Sequence, residues 1–232
     1  MAYKSVKSKL DILVKELGDL ENEYHTSNKS NRDKIYYQKR EEYNEYISKS
    51  IPNNAVRRTA LLIFLNKTCF NGLFRVNSNG LFNVPFGRYE HPTICDEKNL
   101  MAIHNVLKNT HIECADFSKC LENADSKSFV YFDPPYRPIS STASFTGYIK
   151  NGFSDEDQKR LKGVFDKLTC RGANVMLSNS DPKNISPHDD FFDDLYCKYK
   201  IERLSATRMI NCNASKRGLI KEILIMNYDS SW

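Results

Sequence analysis

The chain has 232 residues and a mass of 26.9 kDa, with 40% hydrophobic and 27% charged residues. These values are typical of a globular protein with one large domain or a domain with an insertion. The counts of 9 Gly and 8 Pro exclude a collagen-like or low-complexity chain. No apolar run approaches a membrane span, and the amino terminus has no signal-peptide pattern. The 7 cysteines form no CxxC pair and the 5 histidines are scattered, which predicts reduced thiols in a cytoplasmic protein without a zinc site.

The first part of the chain is predicted to be helical. Apolar residues recur at three- and four-residue spacing from Val6 to Leu20, and Tyr24 extends the stripe. A polar, Tyr-rich helix is expected at 32–50, and an apolar helix or buried segment at 56–68. Residues 73–84 form two short alternating runs around Asn79-Gly80, which predict a β-hairpin.

The net charge of +5 is unevenly distributed. No Asp or Glu lies between Tyr46 and Tyr89, whereas that stretch contains Lys49, Arg57, Arg58, Lys67, Arg75 and Arg88. A long basic segment without acids suits a polyanion surface. A solvated face of chance composition is the alternative, and charge alone does not decide between them.

The rest of the chain alternates strands and helices. A helix is expected from Asp96, its N-cap, to Lys108, and another from Ser154, with a capping box, to Cys170. Apolar runs predict strands at 111–117, 128–133, 173–179, 195–204 and 221–228. This order predicts an α/β sheet covered on both faces. We therefore divide the chain into a helical and hairpin region, 1–110, and an α/β region, 111–232.

The residues Asp133, Pro134, Pro135 and Tyr136 directly follow a predicted buried strand, at the sheet edge where open α/β sheets bind ligands. These residue types suit alkylation of an exocyclic amine on a nucleobase. The Asp133 carboxylate and the Pro134 carbonyl can accept the two N–H hydrogens, while the prolines hold the loop rigid. Tyr136 offers a flat face to an extruded base. The alternative is an ordinary strand-ending turn made by two prolines.

This DPPY sequence resembles the catalytic motif of the DNA adenine methylase family, which methylates adenine N6 with S-adenosyl-L-methionine. Residues 67–89 resemble the DNA-recognition hairpin of its GATC-methylating branch. Further similarity lies at 142–161, 177–181 and 221–228, so that the resemblance extends from about Tyr36 to Tyr228. It implies a Rossmann-like methyltransferase sheet with a mainly helical DNA-recognition insertion carrying a β-hairpin, and double-stranded DNA as the partner.

The resemblance also implies roles for single residues. Phe70 matches an aromatic that wedges into the base stack, and Arg75 matches the arginine that reads a guanine. The other residues implied to contact DNA are Asn71, Leu73, Asn77 and Arg88. Asp116 and Phe117 match the pair that holds the adenine end of the cofactor, to which Asp133 also contributes. Phe145 and Tyr148 match positions near the target base. Phe70 and Leu73 as core residues, and Arg75 as a surface charge, are the structural alternatives.

The chain departs from the family at its beginning. Family members begin with a PFxKWxGGK-like segment, a strand with FxGxG and an acidic residue, and none of these is found here. We therefore expect an incomplete sheet, whose missing strands belong between the strands at 111–117 and 128–133. A separate N-terminal polypeptide supplying the FxGxG segment, a truncated remnant and a fragment are all compatible with the sequence.

The predicted function is site-specific methylation of adenine N6, in GATC, by flipping the base into the DPPY loop, as in DNA modification and restriction-modification. An inactive DNA-binding remnant or one half of a split enzyme is the alternative. A methyltransferase of RNA or of protein glutamine is disfavoured by Asp rather than Asn at position 133 and by the hairpin.

Overall fold

The computed structural model describes residues 1–49, 54–137, 153–207 and 219–229. The chain divides into two compact units, Met1–Cys114 and Ala115–Trp232. Phe145 and Tyr148, which the sequence places near a target base, lie outside the described residues. No helix in the described parts of the chain is both long and apolar enough to cross a membrane.

The Met1–Cys114 unit is built from helices, as the apolar spacing predicts. They are α1 (Ala2–Ser8), α2 (Leu10–Thr26), α3 (Lys29–Ser48), α4 (Ala55–Thr68) and α5 (Glu97–Leu107). The predicted first helix is interrupted at Lys9, whose φ of −144° is not helical. Side chains of other helices contact α1. The Thr59 hydroxyl donates to the Ser5 hydroxyl oxygen at 3.1 Å, and a ring nitrogen of His104 lies 3.0 Å from the Val6 carbonyl oxygen.

The core of this unit lies between α2, α3 and α4. Leu13, Leu17 and Leu20 are at most 1% exposed, and they share one face of α2 because of their spacing. At the rim, Arg57 joins the three helices through 2.8 Å ion pairs with Glu16 and Glu42. The other members of the core are Val6, Leu10, Tyr24, Ile35, Tyr36, Tyr43, Ala60, Leu61, Phe64, Leu65, Cys69, Phe82, Val84, Ile94 and Leu100.

The predicted hairpin is present as a turn with isolated bridges rather than a continuous ladder. Val76 pairs antiparallel with Phe82, and the Asn77 amide donates to the Leu81 carbonyl at 2.9 Å. The loop is therefore Ser78-Asn79-Gly80, and of these residues only Gly80 has a positive φ, 76°. The turn predicted around Asn79-Gly80 is therefore present, as a three-residue loop that ends in a left-handed glycine.

The Ala115–Trp232 unit contains a four-stranded mixed sheet in the order β1-β2-β4-β3. Its strands are β1 (Phe129–Phe132), β2 (Asn174–Ser180), β3 (Lys200–Thr207) and β4 (Leu219–Met226). β1 and β2 are parallel, with Phe132 beside Leu177, whereas β4 is antiparallel to β2 and to β3. The α/β class predicted from the sequence is confirmed.

One face of this sheet is covered by α6 (Asp155–Cys170). Leu161, Phe165 and Leu168 of α6 are at most 1% exposed and belong to one cluster with Val175 and Ile223 of the sheet. As predicted, Ser154 begins this helix with a capping box to Asp157. On the opposite face, Phe129 and Tyr131 of β1 are 57% and 51% exposed. The expectation of a sheet covered on both faces is therefore wrong for β1.

Two predicted strands also differ from the structure. Residues 111–117 form no strand, because Asp116 instead caps a short 3-10 helix, Phe117–Glu122, by accepting from the Ser118 amide at 3.0 Å. The strand expected at 195–204 starts only at Lys200. Residues before it form α7 (Phe191–Leu195) and a turn, which places Tyr196 in the core against Phe165. Tyr196 is buried although it lies outside a strand, so the apolar residues of this segment alternate as they would in a strand.

Candidate functional site

The DPPY loop begins at the carboxyl end of β1, immediately after the buried Phe132. Asp133 is exposed, whereas Pro134, Pro135 and Tyr136 are half-buried. Among the described residues, no hydrogen bond reaches the Pro134 carbonyl oxygen. The loop therefore offers a carboxylate and a main-chain acceptor side by side, on a backbone fixed by two prolines.

A serine of the neighbouring strand holds the Asp133 carboxylate. Ser178 of β2 donates its hydroxyl hydrogen to Asp133 Oδ1 at 3.1 Å. The Tyr131 hydroxyl in turn donates to Ser178 Oγ at 2.9 Å. Ser178, in the middle of this chain of hydrogen bonds, is only 4% exposed, whereas Tyr131 and Asp133 at its two ends are exposed.

The Tyr136 hydroxyl lies at the same cluster. It is 3.4 Å from Glu222 Oε2 on β4. Burial raises the pKa of Tyr136, and a hydrogen bond with Ser178 partly opposes that rise. The phenol therefore stays neutral at physiological pH, and its ring is held by one end beside Asp133.

Buried polar side chains of β2 and α6 form hydrogen bonds with the backbone at the end of the DPPY loop. The Asn179 side-chain oxygen accepts from the Arg137 amide at 2.9 Å, and the Ser180 hydroxyl donates to the Arg137 carbonyl at 2.7 Å. Gln158 of α6 donates to the Pro135 carbonyl at 3.4 Å. Asn179 and Gln158 are both fully buried. Their bonds go to the loop backbone, so the loop conformation is fixed by the core of the unit.

Arg137 adds a second anchor at the end of the motif. Its guanidinium lies 2.8 Å from carboxylate oxygens of Asp155 and Asp189, and its central carbon lies 4.3 Å from the centroid of the Phe191 ring. These partners belong to α6, to the loop after β2 and to α7. Hydrogen bonds that the guanidinium donates to Asp155 and Asp189 raise the pKa of Arg137, against the effect of burial.

The proposed cofactor pair, Asp116 and Phe117, is engaged by a residue that the sequence analysis did not single out. Arg160 of α6 places Nη1 2.9 Å from both carboxylate oxygens of Asp116 and its guanidinium carbon 4.1 Å from the centroid of the Phe117 ring. Phe117 also meets Phe153 edge-on at 6.0 Å. Asp116 and Phe117 thus provide the kinds of group, an acceptor and an aromatic ring, that suit the adenine end of a cofactor, and Arg160 contacts both of them in this structure.

The implied DNA-contacting residues all lie in the Met1–Cys114 unit. Hydrogen bonds join the segment at 70–71 to the segment at 85–89. The Phe70 amide donates to the Pro85 carbonyl at 2.9 Å, and the Asn71 amide donates to the Tyr89 hydroxyl at 3.2 Å. Phe70 is 51% exposed, so it is not a core residue, whereas Leu73 is half-buried against the core. Asn71 has a left-handed φ of 54°, which directs this loop outwards.

Two further residues of this set have structural partners within the hairpin. Arg75 donates from Nε to Asn83 Oδ1 at 2.8 Å and from Nη2 to the Asn83 carbonyl at 3.2 Å. Asn77 Oδ1 accepts from the amides of Asn79 and Leu81, both at 3.0 Å. Asn77 therefore builds the turn, whereas Arg75 is exposed and held in one orientation.

Arg88 lines a surface cavity of about 570 Å³. It has a left-handed φ of 58° and follows Gly87. The cavity is lined by Lys29, Ser30, Arg32, Asp33, Lys34, Phe86, Arg88, Tyr89 and Glu90. The lining contains four basic and two acidic side chains, so this surface has a net positive charge, which suits contact with a phosphate backbone.

The structure thus gathers the catalytic candidates into one cluster and adds Ser178, Asn179, Gln158 and Arg137 to it. Sequence reasoning noted 177–181 only as a further point of similarity. The available signal was topological, because the carboxyl ends of adjacent parallel strands meet at one sheet edge. No sequence pattern indicates the contact of Arg160 with Asp116 and Phe117, since that contact depends on how α6 crosses the sheet.

Residues 1–210 match the profile of the D12 class N6 adenine-specific DNA methyltransferase family. Among similar proteins, the Type II methyltransferase M.MjaIII of Methanocaldococcus jannaschii is 47% identical over 98% of this chain and 76% of its own length. The Type II methyltransferase M1.LlaDCHI of Lactococcus lactis subsp. cremoris is 43% identical over 75% of this chain and 59% of its own length. The DNA adenine methylase of Escherichia coli K12 is 35% identical over 83% of this chain and 64% of its own length.

Proposed function

Because the chain belongs to the D12 class N6 adenine-specific DNA methyltransferase family, we propose that it transfers a methyl group from S-adenosyl-L-methionine to adenine N6 in double-stranded DNA. The observation that carries this proposal is the Asp133–Tyr136 loop at the end of β1. It presents the Asp133 carboxylate and the Pro134 carbonyl on a backbone that buried polar groups hold in place. A separate N-terminal polypeptide, one of the three possibilities that the sequence left open, gains no support from the relatives, and the proposal does not include it.

The loop acts on a poor nucleophile. The lone pair of an adenine amine is delocalised into the ring, and acceptors for both N–H hydrogens favour a pyramidal nitrogen whose lone pair is available. When bound, S-adenosyl-L-methionine would supply the methyl group from its sulfonium, so that N6 would gain the methyl carbon while sulfur loses it. The nitrogen becomes positively charged, and the nearby Asp133 carboxylate stabilises that charge. One N6 proton leaves afterwards, which gives the methylamine, the neutral thioether and a released proton.

Access to N6 in this way requires the adenine to leave the base stack. Enzymes that modify a base in duplex DNA extrude it into a pocket and pay a few kcal/mol for unstacking. In our proposal the half-buried ring of Tyr136, held by its hydroxyl at Glu222, is the surface on which the base stacks. The cofactor contributes the methyl group, and Asp116, Phe117 and Asp133 are the described residues assigned to hold it.

The Met1–Cys114 unit is assigned to DNA recognition and the Ala115–Trp232 unit to catalysis, as an insertion and a Rossmann-like methyltransferase sheet. Support for the first assignment is the exposed Phe70, the fixed Arg75 and the basic cavity at Arg88. Arg75 reads a guanine edge in the major groove, and GATC is the site we propose. Phe70 occupies the gap left in the base stack, with Asn71 and Leu73 beside it.

The test is methyl transfer to a GATC duplex, with the product identified as N6-methyl-2′-deoxyadenosine by mass spectrometry of the digested nucleosides. Asp133→Ala is expected to abolish transfer while duplex affinity, measured by fluorescence anisotropy, stays within about fivefold. Asp194→Ala, an exposed carboxylate of α7, is the matched control and should leave both unchanged. DNA binding without transfer by the unaltered protein would instead support an inactive DNA-binding remnant.

A further inference from the structure

Ser178 lies at the centre of the cluster around Asp133. Its hydroxyl has one hydrogen to donate and two lone pairs that accept. An ionised carboxylate only accepts, so the Ser178 hydrogen must point to Asp133 Oδ1, 3.1 Å away. Oγ must then accept from Tyr131, 2.9 Å away, and the Tyr131 hydroxyl must be the donor. With Asp133 ionised, the Ser178 and Tyr131 hydrogens take these two directions.

This fixed direction has a consequence for the carboxylate. Oδ1 is turned towards Ser178, whereas Oδ2 accepts no hydrogen bond from the residues that the structure describes. The two oxygens are therefore not equivalent, and only Oδ2 keeps its full capacity for a hydrogen from a ligand. Because Asp133 is exposed, its side chain has few packing contacts to orient it, and the bond from Ser178 supplies that constraint.

We propose that Ser178 is a positioning residue for methyl transfer, whose hydroxyl holds the Asp133 carboxylate so that Oδ2 receives the adenine amine. This inference rests on the proposed function. Ser178 touches neither substrate nor methyl group in this scheme, and Tyr131 acts one step further out by fixing the Ser178 hydroxyl. Acceptors that are already oriented lower the activation barrier, because they need no reorientation during the reaction.

The sheet register explains why this serine can reach Asp133. β1 and β2 run parallel, and Phe132 pairs with Leu177, so that Asp133 and Ser178 are the next positions on adjacent strands. Leu177 points into the core with α6, and the following residue points to the opposite face. A small hydroxyl residue is the right size there, since Ser178 is 4% exposed between Tyr131 and Tyr136.

Three variants and a control test the inference. Ser178→Ala removes the donor, Ser178→Thr keeps the hydroxyl, and Tyr131→Phe removes only the outer donor. Ser205→Ala, at an exposed position of β3, is the matched control. We expect Ser178→Ala to lower the single-turnover rate of methyl transfer about 10- to 100-fold, as for a lost hydrogen bond to a charged group. Its KM for DNA should stay within about twofold, Ser178→Thr should restore most of the rate, and Tyr131→Phe should lose about two- to fivefold.

A crystal structure of Ser178→Ala gives a readout that does not depend on activity. The Asp133 side chain should leave the orientation seen here, and Ser205→Ala should leave it in place. If the unaltered protein transfers no methyl group, the proposed function fails, while the crystal structures still decide whether Ser178 orients Asp133. An unchanged Asp133 orientation, an unchanged rate, or a loss confined to KM for DNA in Ser178→Ala would each overturn the inference.

Discussion

Arg160 Nη1 lies 2.9 Å from both carboxylate oxygens of Asp116, and the same guanidinium covers the ring of Phe117 at 4.1 Å. These are the two residues assigned to the adenine end of the cofactor. A guanidinium and an adenine would use the same carboxylate and the same ring face, since both are planar, stack on aromatics and donate N–H hydrogens. If Asp116 and Phe117 hold the cofactor as proposed, Arg160 competes with it for both residues.

The first prediction concerns this competition. Arg160 and Asp116 are about half exposed, with side-chain exposures of 49% and 48%. Exposed ion pairs stabilise by about 0–1 kcal/mol, so displacing this one costs little. Arg160→Ala should bind S-adenosyl-L-methionine with equal to about fivefold higher affinity in titration calorimetry. Lys162→Ala on the same helix should leave the affinity unchanged. Weaker binding by Arg160→Ala would show that Arg160 holds the cofactor rather than competing with it.

The second prediction concerns the titration of Asp116. Hydrogen bonds from Ser118 lower the pKa of Asp116 from 3.8 to about 2, with Arg160 as the further cause. Since the folded-state pKa lies below the unfolded value, the stabilisation is fully present above about pH 3.8 and is lost as the pH falls through about 2. Carboxyl NMR should find a titration midpoint near 2. Ser118→Ala should move it further towards 3.8 than Arg160→Ala does, and the opposite order would contradict the assigned causes.

The fold was predictable wherever a local pattern determined it. The apolar stripe of α2, the N-cap at Asp96 and the capping box at Ser154 each depend on residues within one or two helical turns. The strand expected at 111–117 failed because the Asp116 side chain offered the Ser118 amide a local bond that competes with extended backbone. The turn predicted at Asn79-Gly80 is present, and Asn77 closes it by accepting from the amides of Asn79 and Leu81.

The candidate site was predictable as a motif but not as a network. The residue types from Asp133 to Tyr136 predict the hydrogen-bond acceptors, and the strand before them predicts that they lie at the edge of the sheet. Ser178, Arg137 and Arg160 depend on strand order, on register and on the path of α6, which are long-range features. Sequence spacing cannot supply these relationships, because residues 45 positions apart, such as Asp133 and Ser178, meet only after the sheet forms.

The third prediction concerns Gly87, beside the loop that carries Phe70. A Cβ at Gly87 would lie 2.5 Å from the Cys69 carbonyl oxygen, which is backbone that cannot swing away. Gly87→Ala should therefore lower the free energy of unfolding by about 1–3 kcal/mol, as overpacking does. Gly18→Ala in α2 is the matched control, since nothing lies within 4 Å of its Cβ position. It should raise stability by about 0.5–1 kcal/mol, as alanine does in a helix interior. Urea denaturation measures both, and equal effects would contradict the contact.

The last prediction concerns Arg75, whose guanidinium is only partly used within the hairpin. Nε and Nη2 bond to Asn83, and Nη1 makes no hydrogen bond to the residues that the structure describes. The end of the fork bearing Nη1 and Nη2 remains directed away from the Nε bond, so it can donate to guanine O6 and N7 together. Asn83 sets the orientation of the fork, which makes the contact a matter of geometry as well as charge.

Arg75→Lys separates these two properties, because lysine keeps the charge and loses the planar fork. We expect both Arg75→Lys and Arg75→Ala to lose about 1–3 kcal/mol of discrimination at one base pair, measured with a set of singly substituted GATC duplexes. Only Arg75→Ala should also reduce the dependence of affinity on salt, by about one phosphate equivalent at most. Lys67→Ala, an exposed cation at the end of α4, should weaken all duplexes evenly or not at all. If Arg75→Lys retained full discrimination, or if Arg75→Ala weakened every duplex to the same extent, Arg75 would be a phosphate contact and not a reader of the base.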